Sequence, residues 1–176
     1  MDPIDIENCL SSMSILIDTR EQPSERAQKR YKSFGCPFRR QKLDYGDYTY
    51  NFTLPDGSEL YKADETIKPS VIIERKMNLE ELSNNLTRER SRFAREFERA
   101  SEAAIYLLIE DGSWKHIITG RYKTKFNQYA YFAGLVAFMA RYRLQVVFCP
   151  PELSGRMIHE ILYRELKERL TKGDYG

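Results

Sequence analysis

The sequence predicts an α/β domain, a mixed central β-sheet flanked by helices on both faces. Short runs rich in Val, Ile and Tyr alternate with stretches of helical period, in the order β-α-β-β-β-α-β-α-β-α. Two of the runs, 71–73 and 104–109, are apolar throughout, as strands covered on both faces are. With 176 residues, 41% hydrophobic and 31% charged, the chain is long enough for one core and too apolar to be disordered.

Residues 1–12 show no clear period and read as a loose N-terminal arm, leaving 13–176 as one domain. Met13 to Asp18 is an apolar run ending on an acid, a strand delivering Asp18 to a sheet edge. Pro23 and Gly35 bracket a basic helix over about 23–33. Phe38–Lys42 and Asp47–Phe52 read as strands around the turn at Asp44-Tyr45-Gly46, which favours a hairpin or meander. Val71-Ile72-Ile73 is a buried strand leading into Glu74-Arg75-Lys76. From Leu79 to Ala100 the spacing of Leu82, Leu86, Phe93 and Phe97 is helical, with a break expected at Asn84-Asn85. Residues 125–142 predict a helix apolar nearly all round and hence central, 145–149 a strand, and the stretch from Ser154 an amphipathic helix carrying Met157, Ile158, Ile161, Leu162, Leu166 and Leu170 on one face.

The net charge of +2 does not by itself announce a nucleic-acid ligand, but its distribution predicts two basic surfaces. Eight basic residues lie between Arg20 and Lys42 against Glu21 and Glu25, and residues 121–148 hold five and no acid. Cys9, Cys36 and Cys149 form no CxxC pair, which argues against a disulfide framework or a zinc site and for a reducing interior. No apolar stretch has the ~20 residues that cross a bilayer, and the N-terminus carries acids where a signal peptide has lysines. The expectation is a protein that is not secreted and has no membrane partner, placed in the cytoplasm or at the nucleoid. Two isolated histidines argue against His-based hydrolysis.

Acids cluster where strands end. Residues i and i+2 of an extended segment share a face, so Glu74 and Lys76 point one way and Arg75 the other. With Asp47, which follows a glycine, they make a site for a hard cation such as Mg²⁺ with an ammonium beside it to hold or help deprotonate a water. Taken alone, Glu74 and Lys76 read more simply as a salt-bridged pair.

The whole string shifts that balance. Ile17-Asp18-Thr19-Arg20-Glu21, Leu43-Asp44-Tyr45-Gly46-Asp47-Tyr48, Ile73-Glu74-Arg75-Lys76, and Arg90-Ser91-Arg92-Phe93 with Glu96 one turn beyond resemble the nuclease domain of the XPF family of structure-specific DNA endonucleases, a branch of the PD-(D/E)xK nucleases. The resemblance runs from about Ile15 to Leu170 and implies a restriction-endonuclease-like core. It makes 13–176 an XPF-type nuclease domain.

The resemblance implies catalytic roles for Asp18, Asp47, Glu74, Arg75 and Lys76. Asp47 and Glu74 would be metal ligands for Mg²⁺ or Mn²⁺, Arg75 would offer its backbone carbonyl, and Lys76 would position water. Arg20 and Glu21 resemble positions bordering the site. Glu80 stands where the family has Asp and is a possible additional active-site residue. Arg90 and Arg92 match basic positions of the family, and Arg39 and Arg40, at the end of the basic helix and loop, are the other candidates for DNA contact.

The chain lacks a helix-hairpin-helix pattern and a nucleotide-binding loop, so it resembles stand-alone versions carried by phages and mobile elements. The reading is a divalent-metal-dependent endonuclease acting on branched or discontinuous DNA (flap, fork or junction) in repair, recombination or replication. The alternatives are a catalytically silent DNA-binding subunit of a nuclease complex, against which the intact Asp47, Glu74 and Lys76 argue, and a structural interaction module. A homodimer through the apolar C-terminal third is expected, and a partner protein could supply a separate DNA-binding domain.

Overall fold

In the computed structural model, which describes residues 1–175, the chain folds around a six-stranded sheet. The strands are β1 (Ser14–Asp18), β2 (Phe38–Gln41), β3 (Tyr48–Asn51), β4 (Val71–Lys76), β5 (Ala104–Glu110) and β6 (Gln145–Cys149), in the spatial order β2-β1-β3-β4-β5-β6. The helices are α1 (Pro3–Ser11), α2 (Glu25–Lys32), α3 (Leu79–Leu86), α4 (Arg90–Arg99), α5 (Trp114–Ile118), α6 (Gln128–Tyr142) and α7 (Ser154–Lys172).

The sheet is mixed, as predicted. β4, β5 and β6 run parallel, β1 is parallel to β2, and β3 is antiparallel to both of its neighbours. Alternation along the strands divides the core. Ile15, Ile17, Tyr48, Tyr50, Val71, Ile73 and Leu108 face α1, α2 and α7. Ile72, Ile105, Leu107 and Ile109 face α3, α4 and α6.

β4 and β5 run in register from Val71 opposite Ala104 to Lys76 opposite Ile109. β3 and β4 pair only at Tyr48 opposite Ile73. The Asp47 N–H donates to the Ile73 carbonyl at 3.0 Å on one side of that pair, and Thr49 Oγ1 donates to the Val71 carbonyl at 2.7 Å on the other.

Four expectations change. Residues 3–11, expected as part of a loose arm, form helix α1, because Asp2 caps the N–H groups of Ile4 and Asp5 and Pro3 suits the first turn. β2 and β3 make no hairpin. β1 lies between them, since its Ile15, Leu16 and Ile17 are wholly buried only with a strand on each side. The break between α3 and α4 falls at Thr87–Glu89 rather than at Asn84-Asn85, which still belong to the last turn of α3. Finally, α6 is not central. It buries Tyr131, Leu135 and Phe138 and leaves Tyr129, Phe132 and Val136 exposed. Among the described residues no helix is long and apolar enough to cross a membrane.

Candidate active site

The turn before β3 explains the glycine of Gly46-Asp47. Gly46 has φ +78°, and a Cβ there would stand 2.8 Å from the Ile72 Cβ. Any other residue would push the turn off β4 and move Asp47 with it. As built, Asp47 Oδ2 accepts the Arg75 backbone N–H at 2.8 Å, which ties the end of β3 to the end of β4.

Glu74 and Lys76 share the α3/α4 face of the sheet. Lys76 Nζ donates to Glu74 Oε1 at 2.6 Å and lies 5.0 Å from the centre of the Phe93 ring. Glu74 is 5% exposed, and among the described residues its Oε2 is buried without a hydrogen-bond partner. Burial and the adjacent Glu74 carboxylate push the Asp47 carboxyl well above its ordinary range, against the pull of Lys76. Burial opposes the charge on Lys76, but Glu74 and Asp47 outweigh it and raise its pKa, so the side chain stays an ammonium. The Asp47 carboxyl, the Glu74 carboxylate with its orphaned acceptor oxygen and the single ammonium paired to it form an anion-rich cluster that a divalent cation fits. Among the described residues no three His, Cys, Asp or Glu side chains converge as a ready-made metal group. A cation here would rest on Asp47, Glu74, a backbone carbonyl and water.

Asp18 is fully buried at the end of β1, and its carboxylate is held from two directions. Leu43 N–H donates to Oδ1 at 2.9 Å, and Arg20 donates to Oδ2 through Nε at 2.5 Å. Asp18 thus anchors Arg20. Burial works against the guanidinium charge, which Asp18, Glu96 and Asp47 nevertheless raise in pKa, so Arg20 borders the carboxylate pair.

Arg75 and Glu21 lie on the opposite face. Glu21 Oε1 accepts from Arg30 Nη2 and from the Tyr48 hydroxyl, both at 2.7 Å, and from Arg75 Nη2 at 3.4 Å. Glu110, wholly buried at the end of β5, accepts from Arg26 at 2.7 Å, Arg30 at 3.2 Å and Arg75 at 3.4 Å. This network sits beneath the site and fixes Arg75, whose backbone N–H in turn fixes Asp47. In α2, Arg26 and Arg30 thus reach buried acids, while Lys29 and Lys32 of the same helix stay exposed.

Other candidates are drawn away from the carboxylates. Glu80 accepts the Lys123 backbone N–H at 2.8 Å and has no bond to Asp47, Glu74 or Lys76. Arg39 is spent on both oxygens of Glu59 (3.0 and 2.9 Å), on Gln41 and on the Tyr61 carbonyl. Arg40 donates to the carbonyls of Thr19 and Glu21, both at 2.7 Å, and supports the turn that carries Arg20. Arg90 stacks over Phe138 at 5.2 Å, and Arg92 pairs with Glu89.

Two residues gain a role that the sequence did not assign, Glu96, which stands in the string that carries the resemblance, and Glu110. Glu96 accepts the Gly46 N–H at 3.3 Å, and burial together with Glu74 raises its pKa. It lies in α4 three residues after Phe93, the residue under Lys76, and that spacing is the signal for it. Glu110 carries the signal that marked Asp18, an acid closing an apolar strand.

A family model described as the ERCC4 domain matches residues 17–161. No curated protein matches the chain. XPF from Aeropyrum pernix is similar in structure, with a TM-score of 0.60 and 19% sequence identity over 90% of this chain and 67% of that one. XPF from Aeropyrum pernix in complex with DNA is similar with the same TM-score of 0.60 and 19% identity, over 89% of this chain and 66% of that one. The chain therefore spans about two thirds of the length of those chains, and the likeness is one of fold.

Proposed function

Because the chain belongs to the ERCC4 domain family and has the XPF-type nuclease fold, we propose that it is a divalent-metal-dependent endonuclease that hydrolyses phosphodiester bonds in branched or discontinuous DNA. The observation that carries this reading is the Asp47–Glu74 carboxylate pair beside Lys76, with Glu74 Oε2 buried and unpartnered. A buried carboxylate oxygen with no donor offers a ligand position to a cation.

Asp47 and Glu74 would hold Mg²⁺ or Mn²⁺, with the Arg75 carbonyl beside them. The chemistry such a cation supplies is activation of water and neutralisation of charge on the leaving 3′ oxygen. Lys76, kept charged by Glu74 and Asp47, serves as a donor that holds the attacking water in line rather than as a base. Arg20, anchored by Asp18, presents a cation at the border of the site where a phosphate enters. Glu96, through Gly46 N–H, and the Glu21–Glu110 network, through Arg75, keep Asp47 in place.

We extend the proposal to a homodimer. Tyr129 (76% exposed), Phe132 (40%) and Val136 (41%) lie one to two turns apart on α6, with the exposed Ala133, Ala137 and Ala140 on the same stretch. A second copy of the chain would cover this uncharged face. A protein partner with its own DNA-binding domain, a role in repair, recombination or replication, and a cytoplasmic or nucleoid setting fit the same reading. The direct test incubates labelled flap, fork, nicked, four-way and linear DNAs with the protein and Mg²⁺. Cleavage of branched forms over the linear duplex supports the proposal, and no cleavage of any form overturns it.

A further inference from the structure

The second basic run was expected to form one surface, and the fold divides it. Arg141 and Arg143 stand at the end of α6, while Arg121, Lys123 and Lys125 lie in the loop before its start. That loop is tied down at several points. Glu80 takes the Lys123 N–H, the hydroxyls of Ser83 and Thr124 meet at 2.8 Å, and the Tyr122 hydroxyl donates to the Phe126 carbonyl at 2.7 Å. The Tyr122 and Phe126 rings both pack on Tyr131 at 5.1 Å. Between this loop and the end of α3 lies a cleft of about 630 Å³, lined by Ser83, Asn84, Thr87, Arg88, Thr124 and Lys125 above Phe126.

Among the described residues, Arg88, Arg121, Lys123 and Lys125 make no ion pair, and none of their charged groups donates a hydrogen bond within the chain. This contrasts with Arg26, Arg30 and Arg39, whose charges carboxylates already answer. A polar cleft lined by Arg88 and Lys125, whose charges nothing within the described residues answers, matches a polyanionic backbone, which needs charge and little apolar area.

We infer that the cleft between the end of α3 and the loop before α6 seats the phosphate backbone of a DNA strand, with Glu80 as the positioning residue that holds one wall. The inference rests on the nuclease reading and adds where the substrate lies.

The test is fluorescence anisotropy of a fluorescein-labelled DNA duplex across a salt series, with Ca²⁺ present to limit turnover. Replacing Arg88 and Lys125 together by Ala should lower the slope of log affinity against log salt by about 1.8, about 0.9 for each lost phosphate contact. Replacing Lys167 and Lys172 of α7 removes the same charge outside the cleft and should alter the slope far less. Glu80→Ala should weaken binding several-fold although it removes a negative charge, while Glu80→Gln, which keeps an acceptor for Lys123 N–H, should not. Thermal melts confirm that each variant is folded. If the wild-type chain binds and cleaves DNA and the Arg88/Lys125 variant keeps the full slope, the cleft is not the seat. If the wild-type chain binds no DNA, the nuclease reading and the cleft both fall. A slope lost for an RNA duplex but not for DNA would assign the cleft to RNA and overturn the proposal.

Discussion

Lys76 Nζ sits 2.6 Å from one oxygen of Glu74 while the other oxygen of that carboxylate is buried and has no donor. The ammonium neutralises the group without saturating it. Asp47, its pKa raised by burial and by Glu74, shares the same pocket. Two acids sharing one ammonium in a desolvated place cost stability that apolar side chains of the same volume would not.

Asp47→Asn and Glu74→Gln should therefore remove DNA cleavage, by about 100-fold or more; Asp47→Asn should leave the fold intact or firmer by about 1 kcal/mol as like-charge repulsion disappears, whereas Glu74→Gln, which takes the anion from the buried Lys76, should lower the melting temperature without unfolding the chain. The amide introduced by Asp47→Asn keeps an acceptor oxygen for the Arg75 N–H. Single-turnover cleavage and thermal unfolding of the same preparations measure the two effects, and a variant that unfolds instead would return these acids to a structural role.

Cleavage should stop in excess EDTA and return with Mg²⁺ or Mn²⁺. Ca²⁺, larger and more loosely coordinated, should sustain binding with poor turnover. Undiminished cleavage without divalent cation would remove the metal from the mechanism.

Glu110→Ala should destabilise the protein by about 3–5 kcal/mol, because three guanidinium groups lose a buried partner. Arg39→Ala should cost about 1 kcal/mol through its half-exposed pairing with Glu59 and leave the salt dependence of DNA binding unchanged. Denaturant melts and the salt series report each.

Most of the fold and part of the site were legible in the sequence, for different reasons. β4 and β5 are apolar throughout because both faces are covered, and Gly46-Asp47 and Glu74-Arg75-Lys76 fall at strand ends, where local pattern and chemistry coincide. The placement of β1 between β2 and β3 depends on pairing across more than twenty residues and leaves no local trace. The fate of the arginines was hidden for the same reason. Arg30 meets Glu110 eighty residues away and Arg39 meets Glu59, so composition could count these charges but not say which were already answered. The period of α6 marked it as apolar all round, and only the layer order shows that one side is uncovered.

That side gives a further expectation. The chain should be dimeric at micromolar concentration by light scattering, and Val136→Glu should shift it toward a monomer. A single species near 20.8 kDa for the unaltered chain would sink the dimer.

Alkaline pH should weaken the fold. Burial pushes the thiols of Cys36 and Cys149 up to about 11 and the Tyr50 hydroxyl up to about 12. These groups hold their protons more tightly folded than unfolded, so their contribution is complete below the unfolded thiol pKa of about 8.5 and declines as pH rises through about 11. Melting temperatures across that range should fall, and less steeply for Cys149→Ala.

The single residue pair joining β3 to β4 has a consequence for motion. Asp47 stands on one side of this junction and Glu74 on the other, so the spacing of the two acids is set across the least stitched line of the sheet. In deuterium exchange, the amides of β3 facing β4 should be replaced sooner than those between β4 and β5. Thr49→Val, which deletes the hydroxyl bridge to Val71, should hasten that replacement locally and leave the β5 and β6 amides as slow as before.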